Sequence, residues 1–93
     1  MKLRWSERAG QDRRDTRARV ALENLPDAIE LDNGITQKAE RLVRHPFIGR
    51  PGRLSGTREF VVHSNYILLY DVTEDSVRIL RLLHARQQWA GEE

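Results

Sequence analysis

An α+β domain of order β-α-α-β-β-β, a helical hairpin packed on a small antiparallel sheet, is the fold this sequence predicts. Three observations carry that reading. Residues 7–45 are helix-compatible and are interrupted by proline only at Pro26. The segment Phe47–Gly56 is punctuated by Gly49, Pro51, Gly52 and Gly56. From Arg58 onward the chain is a series of β-rich runs separated by short polar turns. Ninety-three residues are enough for one domain, 1–93, with no room for a second core.

The elements follow in order. Lys2–Trp5 reads as a short first strand, and Ser6 can cap the helix that follows with its side-chain oxygen. A helix is expected from about Glu7 to Asn24. Its apolar stripe is thin, Ala9 and then Thr16, and strengthens at Val20, Ala21 and Leu25. Pro26 suits the first turn of a second helix, where its missing N–H would go unsatisfied anyway, and Asp27 and Glu30 favour the positive end of its dipole. Ala28, Leu31, Ile35, Ala39, Leu42 and Val43 recur at spacings of three and four and give that helix one apolar face. Pro46 ends it, because the residue before a proline avoids helical angles.

Three strands are expected at Arg58–His63, Tyr66–Thr73 and Ser76–His84, joined by turns at Ser64-Asn65 and Glu74-Asp75. Turns this short make neighbouring strands antiparallel. On the middle strand Tyr66, Leu68, Tyr70 and Val72 share one face, and Ile67, Leu69 and Asp71 the other. Both faces are largely apolar, which places this strand at the centre of the sheet. The helical hairpin covers one face. The other is expected to be an uncovered groove that a partner segment fills by helix docking or strand addition.

Composition narrows the chemistry. The chain has no cysteine, which excludes disulfides and thiolate metal sites and fits a reducing cytoplasm. The longest apolar run, Tyr66–Tyr70, is far short of the ~20 residues that span a bilayer, and the N-terminus shows no apolar signal core. Net charge is +2, yet the cations cluster: residues 1–19 hold seven against three acids, and Arg50, Arg53 and Arg58 stand in a loop without an acid. Such clusters are either solvated faces or surfaces for an acidic partner or nucleic acid. His45, His63 and His84 have no short ligand spacing, so no metal is expected. No glycine loop leads from a strand into a helix, and GRPGR lacks the lysine and hydroxyl of a phosphate-binding loop, so no nucleotide cofactor is expected either. Ser55, Ser64 and Ser76 lie in turns, which gives little support for a protease-like triad.

The run of motifs GRPGR, GTREFVV, YILLYDV and ILRLLHARQQW, over about the last 45 residues, resembles the ParE branch of the ParE/RelE superfamily, small toxins of bacterial toxin–antitoxin pairs also known for plasmid stabilisation. The resemblance implies a toxin that binds and inhibits DNA gyrase. It also implies a cognate antitoxin that wraps the toxin and alone contacts operator DNA. Arg58, Arg81, His84, Arg86 and Trp89 are the residues it nominates for target binding. Leu31, Ile35, Tyr66, Leu68 and Tyr70 are the expected antitoxin groove. The RelE branch implies an alternative, a ribosome-dependent mRNA endoribonuclease, in which His84 and Arg86 would serve catalysis. That branch carries an arginine just before the middle-strand L-V-Y, where this chain has Ile67, and some of its members a loop glutamate, where this chain has Gly52. A third alternative is a non-toxic partner-binding module of the same fold.

Overall fold

The computed structural model describes residues 1–63 and 65–86. Strand β1 (Lys2–Trp5) leads into helices α1 (Glu7–Glu23) and α2 (Leu25–Arg44). Strands β2 (Arg50–Pro51), β3 (Arg58–His63), β4 (Tyr66–Val72) and β5 (Ser76–His84) follow. They form one sheet in the order β1-β5-β4-β3-β2, with β4 at its centre. The expected order of elements holds, with the short β2 added. The sheet is mixed, not wholly antiparallel: β1 runs parallel to β5, pairing Lys2 with Ser76 through Trp5 with Ile79. Tight turns dictate antiparallel pairing only within the β3–β4–β5 meander; β1 reaches β5 after the rest of the chain has intervened.

Local chemistry sets the helix ends. Ser6 Oγ accepts from Ala9 N–H at 3.0 Å and donates to Leu80 O at 3.0 Å, so one hydroxyl caps α1 and seals part of the β5 edge. Asn24 serves both helices. Its N–H closes α1 on Val20 O, and its side chain accepts from Asp27 N–H at 3.0 Å to start α2.

Helix α2 buries Ala28, Leu31, Ile35, Ala39 and Leu42 against the sheet. Leu31, Ile35, Ala39 and Leu42 share one cluster with Val62 of β3, Tyr66, Leu68 and Tyr70 of β4, and Val77, Ile79 and Leu82 of β5. Burying each large side chain contributes roughly 1.5–3 kcal/mol. Of the residues expected in an antitoxin groove, Leu31, Ile35, Tyr66, Leu68 and Tyr70 are buried in the core between hairpin and sheet, and Leu31 and Tyr66 also line a hollow of about 330 Å³ at its edge. The other face of β4 departs from expectation. Ile67, Leu69 and Leu83 are buried there. Leu69 lies between Glu59 and Arg81, and Ile67 between Val61 and Leu83. The loop arginine Arg53 reaches back to Glu59 in the row that holds Leu69.

Helix α1 buries only Ala9 and Thr16, and Leu25, expected to extend its stripe, is exposed. Charge holds it instead. Arg13 Nε donates to Asp32 Oδ1 at 2.7 Å, its Nη2 reaches Asp32 O and Thr36 Oγ1, and its guanidinium lies 4.9 Å from the Trp5 ring centre. The hydrogen bond from Arg13 holds the Asp32 carboxyl below its ordinary range.

The loop before β3 is anchored at both ends. Tyr70 OH donates to Pro46 O at 2.7 Å and accepts from Gly49 N–H at 3.0 Å. A Cβ at Gly49 would stand 2.6 Å from that hydroxyl, so only glycine allows the approach. Arg50 and Arg53 converge on buried Glu59, Arg53 through both Nε (2.7 Å) and backbone N–H (2.9 Å). The hydrogen bond from the Arg53 side chain leads in pulling the Glu59 carboxyl from 4.5 down to about 2.

Two stability predictions arise here. A Cβ at Gly34, inside α2, would meet no atom within 4 Å. Gly34→Ala should therefore stabilise the protein by about 1 kcal/mol, read as a raised denaturation midpoint. Glu59 has its carboxyl depressed in the folded state, so its contribution is fully present above the unfolded value and is lost as pH falls through the folded one. Wild-type stability should drop between pH 4.5 and about 2. Glu59→Gln should lose on the order of 2–3 kcal/mol at neutral pH and show a flatter profile across that window in urea titrations.

Candidate target-binding surface

Where β1 ends at Trp5, the outer edge of β5 continues without a neighbouring strand, and α1 crosses it. Asp12 fills the gap. Its Oδ2 accepts from the Leu82 backbone N–H at 3.0 Å and from Arg81 Nε at 2.7 Å, and its Oδ1 from Arg81 Nη2 at 3.2 Å. A single carboxylate thus replaces a strand neighbour and pairs with a buried guanidinium. Arg8, one helical turn earlier, adds a 3.7 Å contact to Asp12.

Beside this clamp lies a polar cleft of about 270 Å³ between α1 and the end of β5. Its wall includes Arg8, Asp15, Arg19, Tyr66 and His84. Arg19 Nη2 donates to Tyr66 OH at 2.8 Å. The His84 ring stands edge-on to Tyr66 at 5.2 Å, and its Nδ1 accepts from Arg86 N–H at 3.1 Å. The cleft therefore gathers cations and carboxylates of α1 beside the polar groups of Tyr66 and His84.

The nominated residues separate. Arg81 and His84 share the cleft, but Arg81 is 4% exposed and committed to Asp12, so it offers no surface to a target. Arg58 lies at the other end of β4: it pairs with Tyr70, whereas His84 pairs with Tyr66, roughly 13 Å away along the strand. Arg58 Nη1 donates to Gly49 O at 2.8 Å and to Phe47 O at 3.2 Å, so it clamps the loop. Arg86 is exposed. Trp89 lies outside the described residues. Asp12, Arg19 and Arg8 were missed by the sequence reading. The available signal was Asp12 itself, one of the few acids in a cationic helix. Among the described residues no group of histidines and acids could hold a metal ion, and no helix is long and apolar enough to cross a membrane.

Comparison with known proteins places this architecture in a class. Residues 3–89 match the family described as ParE toxin of type II toxin-antitoxin system, parDE. The chain is 34% identical over 89 residues to a Sinorhizobium fredii (strain NBRC 101917 / NGR234) protein described as "Putative toxin Y4kP", covering 95% of this chain and 92% of that one. A solved structure titled "Chromosomal ParDE TA system from P. aeruginosa" superposes with a TM-score of 0.81 at 22% identity, over 92% of this chain and 97% of that chain, a likeness of fold. The chain belongs to the ParE toxin family of type II toxin–antitoxin systems.

The clamp predicts how site variants behave. Removing one member of a buried ion pair costs about 3–5 kcal/mol, because the other charge is left uncompensated. Arg81→Ala should therefore lower the melting temperature and the cellular level of the protein together. Arg81→Met with Asp12→Asn should recover part of that loss in thermal melts, because no charge is left unpaired and the asparagine oxygen still accepts from the Leu82 N–H.

Proposed function

We propose that this chain is a growth-arresting toxin that acts in the cytoplasm by binding DNA gyrase and blocking replication, and that a cognate antitoxin protein neutralises it. Operator DNA is reached only through that antitoxin. Family membership supports the toxin role, and one observation favours binding over RNA cleavage. Ile67 stands where the resemblance sets the nuclease arginine, and it is 6% exposed within the sheet. An isoleucine there can neither hold a phosphate nor donate a proton, and cleavage through a 2′-hydroxyl needs both functions at one site. Arg81, in turn, is neutralised by Asp12.

Within this reading His84 and Arg86, beside the cleft, contact the target, and Trp89 is the aromatic that the resemblance adds. The test is pulse incorporation of labelled thymidine, uridine and methionine just after induced expression in bacteria, followed by a gyrase supercoiling assay on purified protein. An early, selective fall in thymidine incorporation and loss of supercoiling are expected. Arg86→Ala should weaken supercoiling inhibition about tenfold or more at an unchanged melting temperature, and adding His84→Ala should weaken it further. An early fall in methionine incorporation with cut transcripts would replace this reading with the ribosome-dependent nuclease. No fall in any label, with folded protein present, would replace it with the non-toxic binding module.

A further inference from the structure

The last turn of α2 and the chain just after it form a surface that neither the core nor the cleft uses. Phe47 is 65% exposed and Ile48 41% exposed. They line a hollow of about 500 Å³ together with Arg41, Arg44, His45 and Pro46. On the other side of Phe47 a second hollow of about 290 Å³ is lined by Arg58, Val72 and loop residues. The aromatic ring is therefore a ridge between two depressions.

The ridge is held in place. Pro46 O and Gly49 N–H are both tied to Tyr70 OH, Arg58 bonds the carbonyls of Phe47 and Gly49, and its guanidinium stacks 5.0 Å from the Phe47 ring centre. An exposed aromatic on a fixed backbone loses little entropy when it is covered.

Charge selects the occupant. Neither hollow is lined by an aspartate or glutamate, and Arg41, Arg44, His45 and Arg58 border them. Among the described residues Arg41 and Arg44 form no salt bridge, although most arginines of α1 and of the loop are paired. A second exposed apolar pair, Leu25 and Ile29 at the hairpin tip, lines a hollow that carries Glu30 and no cation, so its charge is opposite to that of the first. An aliphatic side chain, Ile48, and a proline line the hollow beside Phe47, which suits a bulky apolar side chain better than a stacked base.

We infer that this face docks an acidic peptide segment of a protein partner, which seats a bulky apolar side chain against Phe47 and Ile48 and sets carboxylates on Arg41 and Arg44. Such a segment gains bidentate arginine contacts at its rim and a desolvated anchor at its centre. The inference stands apart from the gyrase reading, since it concerns a different face and requires no toxicity.

Fluorescence anisotropy on the purified full chain tests it. The probes are a labelled peptide of about ten residues rich in glutamate with leucine and phenylalanine, the same peptide with lysine for glutamate, and a single-stranded oligonucleotide of matching charge. The acidic peptide should bind, and rising salt should weaken it. Phe47→Ala, and separately Arg41→Gln with Arg44→Gln, should each weaken it about tenfold or more, whereas Leu25→Ser with Ile29→Ser should leave it unchanged. Arg41 and Arg44 are exposed and outside the core, so their variants keep the test valid if Phe47→Ala unfolds. Three results would overturn the inference: no binding of the acidic peptide, equal binding of the lysine peptide, or unchanged affinity in the arginine variant. Displacement of the peptide by the oligonucleotide would overturn it in favour of a nucleic-acid surface.

Discussion

The Asp12 carboxylate at the edge of β5 is the contact on which the arrangement of helix and sheet depends. Strand β1 covers β5 only as far as Ile79. Beyond it Ser6 Oγ takes the Leu80 carbonyl and Asp12 takes the Leu82 N–H, so side chains finish the work of a strand. The same carboxylate neutralises Arg81, which is buried in the sheet. One group thereby satisfies a backbone donor, balances a buried cation and fixes where α1 crosses the sheet. A helix with only two buried residues has little apolar area with which to do this.

This dependence on charge changes the meaning of the arginine-rich composition. Arg13 and Arg17 meet Asp32, Arg50 and Arg53 meet Glu59, and Arg81 meets Asp12. These are ties between elements, made with bidentate or multiple hydrogen bonds that suit a planar guanidinium. In a domain this small the apolar core is limited, and polar ties supply the remaining specificity. What is left for partners is a subset: the cleft with His84 and Arg19, the exposed Arg86, and the basic ridge around Phe47.

Much of the fold was legible because its signals are local. The spacing of Ala28, Leu31, Ile35, Ala39 and Leu42 gave the buried face of α2, and the alternation from Tyr66 to Val72 gave the two faces of β4. Asn24, between the two helices, carried its own capping chemistry but was not singled out. The site was less legible, for a physical reason. Whether an arginine is a tie or a contact depends on a carboxylate far away in sequence: Arg81 and Asp12 are 69 residues apart. A local pattern cannot show that pairing. The alternation of β4 is limited in a related way, since it says that both faces are apolar but not what lies over each of them.

Native-state hydrogen exchange on wild type and Asp12→Ala tests the central claim most directly. If Asp12 stands in for a strand and anchors α1, the substitution should raise exchange at the Leu82 amide and across α1 together, while amides in the β3–β4 pairing keep their protection. Unchanged protection of α1 and Leu82 in the variant would contradict the account and return the weight of helix attachment to the few apolar contacts it makes.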